Sequence, residues 1–91
     1  MKVLIIFNVK FKKDISKLKK LLDYNAFRQI NSTTYIGELS NNELEILRNE
    51  IKQNFNENDT IIVTPICKNC IDKVEIIGQN IEFDEEQYKI L

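Results

Sequence analysis

Apolar residues crowd the start of the chain, where Val3, Leu4, Ile5, Ile6, Phe7 and Val9 run almost without a break. A short run rich in β-branched residues reads as a buried central strand, with Asn8 at its C-terminal end. After lysines at 10, 12 and 13 the period changes: Ile15, Leu18, Leu21 and Leu22 fall on one helical stripe, with Asp14 as the expected cap and the end near Tyr24 and Asn25. Residues 27–30 and 33–39 return to β-branched and aromatic content around Asn31-Ser32, a pair suited to a tight turn, which predicts a hairpin. Ser40 followed by Glu43 spells a capping box, and Leu44, Leu47, Ile51 and Phe55 recur at helical spacing behind it. Polar residues 56–59 close that helix before a last strand over 60–66.

The order βαββαβ predicts an α+β, ferredoxin-like sandwich, an antiparallel four-stranded sheet with both helices on one face. Residues 67–91 exceed what such a sheet needs, and 73–77 alternate as a further short strand. The edge of a second protomer's sheet would give that strand a partner and enlarge a small core. The expected division is therefore a core domain over 1–78 and a dimer-associated C-terminal extension over 79–91.

Size points the same way, because 91 residues bury only roughly 60–65% of the surface their unfolded chain exposes. An apolar fraction of 43% beside 30% charged residues, with two glycines and one proline, describes a patterned globular chain rather than a disordered one. No apolar run approaches the roughly 18 residues of a membrane helix, and the first ten residues lack the pattern of a signal peptide, so a cytoplasmic protein is expected, with no membrane partner. The net charge of −1 hides a division: residues 1–30 hold eight Lys/Arg against two acids, the remainder five against twelve. Such halves suit two solvated faces, or docking on phosphate and on a basic protein.

The chain has no histidine, which excludes imidazole bases and His-ligated zinc. Gly37 and Gly78 stand alone, outside any phosphate-binding glycine loop. Cys67-Lys68-Asn69-Cys70 is a CxxC, but one chain supplies only two of the four ligands of a zinc site, and a redox CxxC normally follows an early strand; free, structural thiols are the expectation. The series Lys10, Lys12, Lys13, Lys17, Lys19 and Lys20 is suited to tracking a phosphate backbone from a loop and one helix face, or to solvation, while Phe11 among them either stacks or packs inward. Asn8 sits where a strand delivers a side chain to the sheet edge. A carboxylate there, one from each protomer, would suit Mg²⁺ near a dimer axis, but an amide lacks the charge on which sparse Mg²⁺ sites depend.

Three segments together resemble one family. Met1-Lys2-Val3-Leu4-Ile5-Ile6-Phe7-Asn8-Val9 is similar to an opening strand that ends aromatic-Asp-hydrophobic. Tyr35-Ile36-Gly37-Glu38-Leu39 is similar to Phe-Glu-Gly-Glu-Leu. Ile66-Cys67-Lys68-Asn69-Cys70, followed by Lys73-Val74-Glu75-Ile76-Ile77-Gly78, is similar to a Pro-Leu-Cys-x-x-Cys ending. These belong to the small CRISPR-associated adaptation proteins, the Cas-two family, and the resemblance spans nearly the whole chain. It implies a homodimer whose C-terminal strand crosses to the partner, which sits between two dimers of the CRISPR integrase and braces the duplex DNA inserted as a new spacer. It also implies metal-dependent endonuclease activity on RNA or DNA in some members, through the Asp that ends the first strand.

That Asp is Asn8 here, so weak or absent nuclease activity is expected, with Mg²⁺ doubtful as a cofactor. Milder departures are Thr33-Thr34-Tyr35-Ile36 in place of Ser-Val-Phe-Glu, and Ala26 where glycine often follows the first helix. The leading expectation is a duplex-DNA-binding scaffold with Lys10, Lys12, Lys13, Lys17 and Arg28 on phosphates. A metal-dependent endoribonuclease or endodeoxyribonuclease, a toxin-like ribonuclease and a ligand-binding regulatory module are the alternatives, since a fold does not fix a function. The acidic run Asp84-Glu85-Glu86 is a candidate contact for a basic partner.

Overall fold

The computed structural model describes residues 1–55 and 57–78, and the backbone of 89–90. The acidic run at 84–86 and most of the expected extension over 79–91 lie outside the described residues.

Strand β1 (Lys2–Asn8) is followed by α1 (Lys12–Tyr24), the hairpin β2 (Arg28–Asn31) and β3 (Thr34–Glu38), α2 (Asn41–Asn54) and β4 (Thr60–Ile66). The sheet order is β2-β3-β1-β4, antiparallel at every step, so β1 and β3 are the central strands and β2 and β4 the edges, with β4 beside β1. This is the expected ferredoxin-like arrangement. Alternation along β1 sends Val3, Ile5 and Phe7 to one face, where they meet Leu18 and Leu22 of α1 and Leu44, Leu47 and Ile51 of α2 in one core. Both helices therefore cover the same side. No helix among the described residues is long and apolar enough to cross a membrane.

Cross-strand register fixes the opposite face. Leu4 lies between Ile36 and Thr64, and Ile6 between Thr34 and Ile62. A second, smaller cluster forms there, in which Ile36 and Ile76 are buried against Leu4, Ile30, Ile66, Ile71 and Val74. The chain reaches this face through a single-turn helix, α3 (Lys68–Ile71), and a two-residue strand, β5 (Glu75–Ile76). The strand expected over 73–77 is thus shorter, and among the described residues it pairs in parallel with β6 (Lys89–Ile90) of the same chain.

Two local features differ from the sequence expectation. Asp14 does not cap α1: the N-cap is Phe11, extended at φ −101° and ψ 139°, whose carbonyl accepts from the amides of Asp14 and Ile15 at 3.0 Å. Asp14 instead lies in the first turn, where its charge suits the helix dipole. The hairpin turns at Ser32-Thr33 rather than Asn31-Ser32, because the Asn31 side chain folds back to accept the Thr33 amide at 3.0 Å. At the end of α1, Ala26 adopts φ +61°. The Phe27 amide donates to the Leu22 carbonyl and the Ala26 amide to that of Asp23, which is the six-to-one and five-to-two pairing of a Schellman stop. The Ser40–Glu43 capping box forms as expected, with both bonds in place.

Candidate nucleic-acid interface

At the end of β1 the ladder still holds Asn8 opposite Thr60 of β4, while its side chain is exposed. One residue on, Val9 turns into the core, and Lys10 is tied down by a bond that joins distant parts of the sequence: its amide donates to Asp59 Oδ1 at 3.1 Å. The sequence reading placed Asp59 in the cluster that closes α2. Its second role follows only once β4 is known to lie beside β1.

The exit from the strand is basic. Lys10 Nζ lies 5.8 Å above the Phe11 ring, which is 52% exposed and so stacks outward rather than packing inward. Lys12 and Lys13 are the first two residues of α1 rather than part of a loop. No side chain caps that terminus, so the free amides of its first turn and the positive end of the helix dipole add to the lysine charges. Lys17, one turn beyond Lys13, extends the same stripe and sets its ammonium 5.8 Å from the ring of Phe55 at the end of α2. Lys10, Lys12, Lys13 and Lys17 are all exposed and share one corner.

Arg28 does not join them. Register places it beside Ile36, which lies opposite Leu4, on the sheet face away from the helices. That position is roughly 13 Å back along the strands from Asn8 and two strands across. Sequence proximity to α1 could not reveal this, because the hairpin reverses the chain.

The far end of β1 is built around a carboxylate. Glu38 Oε2 lies 2.9 Å from the N-terminal ammonium and Oε1 3.2 Å from Lys2 Nζ, while the same ammonium donates to the Leu39 carbonyl at 2.7 Å. The hydrogen-bonded ammonium, with Lys2 adding to it, holds the Glu38 carboxyl below its usual value. Beside this group, Cys67 and Cys70 are free, as expected, but both are exposed.

The donors near Asn8 suit Mg²⁺ poorly. Asn8 offers one weak amide oxygen, the nearby Asp59 carboxylate already accepts from the Lys10 amide, and among the described residues no three His, Cys, Asp or Glu side chains come together in a metal-binding group.

Fold and site define a class: a small ferredoxin-like α+β sandwich whose first strand runs out into an exposed, lysine-rich corner. The model of the family described as CRISPR associated protein Cas2 matches residues 1–74, and the chain belongs to that family. The CRISPR-associated endoribonuclease Cas2 1 of Methanospirillum hungatei JF-1 is 20% identical over 90 residues, which span 98% of this chain and 95% of that protein. Among solved structures, Streptococcus pyogenes Cas2 at pH 6.5 superposes with a TM-score of 0.67 at 18% identity, covering 86% of this chain and all of that one. The hypothetical protein TT1823 from Thermus thermophilus gives a TM-score of 0.67 at 16% identity, over 72% of this chain and 80% of that one. At these identities the two structures speak for the fold. Family membership supports a CRISPR-associated role.

Proposed function

We propose that the chain is the DNA-bracing subunit of CRISPR spacer acquisition: a cytoplasmic homodimer that holds duplex DNA and bridges integrase dimers. The observation that carries this reading is the corner at the end of β1, where an exposed amide takes the place of the family's metal-binding Asp beside four exposed lysines and an uncapped helix start. Phosphate oxygens are met there by point charges and by unbonded backbone amides together. Bracing a duplex requires nothing more, whereas phosphodiester hydrolysis requires activated water and charge neutralisation at phosphorus.

What supports the dimer is the sheet face away from the helices. Ile6 and Ile62 lie side by side on it, 38% and 47% exposed, next to the cluster around Ile36. A second copy laid on this face would bury them, and β5, which among the described residues pairs only with β6, has another edge to offer the partner's sheet. A dimer mass of twice 10.8 kDa by light scattering is expected. Arg28 lies on that same face and belongs to the phosphate contacts only where the duplex reaches across the dimer.

The second reading, an endoribonuclease, rests on the name of the Methanospirillum relative, and its metal dependence on the family resemblance alone. One experiment separates the two. Purified protein is titrated with labelled duplex DNA across a salt series and is also incubated with RNA and DNA in Mg²⁺ or Mn²⁺, beside Lys12→Glu/Lys13→Glu, Asn8→Asp and an EDTA control. The scaffold reading expects duplex binding whose logarithmic salt slope flattens by about 0.9 for each lost phosphate contact in the double variant, with no cleavage by the natural chain. Binding that ignores the charge reversal, or cleavage that EDTA stops, would overturn it.

A further inference from the structure

Cys67 and Cys70 do nothing for the core, because both are exposed where the chain leaves β4 for α3. Their geometry is nevertheless specific. The Cys67 sulfur accepts the Cys70 amide at 3.3 Å, and the two sulfurs lie 3.1 Å apart. A disulfide needs about 2.05 Å, so a relative shift of about 1 Å closes the bond.

Next to Cys67 opens a cleft of about 410 Å³ lined by Met1, Lys2, Glu38, Lys68 and Asp72. Glu38 is paired there with the terminal ammonium and Lys2, and Lys68 and Asp72 add one further charge of each sign, which suits a small zwitterionic peptide better than a simple anion or cation. The two thiols are also inequivalent. A hydrogen bond from Cys70 and the amide beside it favour the Cys67 thiolate, while the same contact holds the Cys70 proton on. The nucleophile is the thiolate, so reaction would begin at Cys67.

We propose that Cys67 and Cys70 form a reversible thiol–disulfide site whose co-reactant is a low-molecular-weight peptide disulfide. The Cys67 thiolate attacks one sulfur of the small disulfide, RSSR. The new bond is Cys67–S–SR, the RS–SR bond breaks, and one RS⁻ leaves to take up a proton. Cys70, deprotonating, then attacks the Cys67 sulfur; the Cys67–Cys70 bond forms and the second RSH leaves. Two protein thiols are oxidised, one small disulfide is reduced to two thiols, and no other oxidant is required. In a reducing compartment such a bond is transient, the behaviour of a sensor rather than a staple. Its place gives it a consequence: oxidation ties the end of β4 to α3, the segment through which Ile71, Val74 and Ile76 reach the sheet face away from the helices. The inference is independent of the nucleic-acid reading.

The test uses the full chain in buffers of reduced and oxidised glutathione at increasing oxidised fraction, quenched by alkylation and read by intact mass, beside Cys70→Ser and Cys67→Ser. Both sites are exposed, and circular dichroism checks that the variants fold. The natural chain should lose both alkylatable thiols and two hydrogens of mass, carry no glutathione, and recover on reduction. Cys70→Ser should retain one glutathione on Cys67. Two thiols that stay alkylatable at every ratio, or oxidation that yields only cross-linked chains, would each overturn the proposal.

Discussion

Ala26 holds a backbone angle that alanine adopts at a cost. At φ +61° it occupies the left-handed position after α1, and its Schellman bonds to Asp23 and from Phe27 to Leu22 leave no freedom to relax. A residue with a Cβ costs about 1–2 kcal/mol in that region, which glycine avoids. Glycine returns part of the gain through greater freedom in the unfolded chain, about 0.5–1 kcal/mol. Ala26 is exposed, so removing its methyl forfeits no core contact. Ala26→Gly should therefore stabilise the protein by about 0.5–1 kcal/mol, which for a domain of this size raises Tm by roughly 3–6 °C. The assay is thermal and urea unfolding at fixed protein concentration, since dimerisation would otherwise move the midpoint. Ala26→Asn should fall between alanine and glycine, and Ala26→Val below alanine, because Asn tolerates the left-handed region and a β-branched residue does not. A glycine variant no more stable than the natural chain would refute the assignment of strain to this position.

Gly37 makes the opposite case: a Cβ there would come within 2.6 Å of the Phe27 ring, so Gly37→Ala should destabilise by about 1–3 kcal/mol in urea unfolding, and Phe27→Leu in the same chain should recover part of that loss. A neutral Gly37→Ala would mean that the ring moves freely. Glu38 predicts a pH dependence. Its carboxyl is held below the ordinary value of 4.5 by the N-terminal ammonium and Lys2, so the stability it contributes is present above that value and is lost as pH falls through the depressed folded value. Glu38→Gln should be slightly less stable at neutral pH, by about 0.5 kcal/mol or less for so exposed a pair, and the gap should close in acid and in high salt. A gap that persists unchanged in acid would show that the ion pair is not its source.

Elements whose signals are local were legible in the sequence. The capping box at Ser40 and Glu43 fixes the start of α2 because both of its bonds lie within four residues, and the strand over 60–66 matches β4, whose start is set by the polar residues before it. The start of α1 was misread for a comparable reason. Asp14 is a good cap by type, but the extended backbone at Phe11 supplies the first helical carbonyl three residues earlier, and no side chain caps that terminus. What remained hidden depends on register. The bond from Lys10 to Asp59 spans 49 residues, and the separation of Arg28 from the lysines depends on how β2 pairs with β3. The exposure of the two thiols was equally illegible, since a CxxC after the last core strand reads the same whether the following turn packs inward or lies on the surface.

Asn8 lies where the charge of this corner can be changed without disturbing the fold. Its backbone belongs to the β1–β4 ladder, but its side chain is exposed and accepts no hydrogen bond from the described residues. Aspartate has the same shape, so Asn8→Asp should leave unfolding unchanged within about 0.5 kcal/mol, as for other surface substitutions. That neutrality makes the variant a probe of charge alone. If the corner carries phosphate, a new carboxylate among Lys10, Lys12 and Lys13 weakens duplex binding in the absence of divalent metal, and Mg²⁺ reverses the loss by neutralising it. If the duplex lies elsewhere, affinity stays the same with and without metal. The sign of the change, and its dependence on metal, then separates a surface that carries DNA from one that does not.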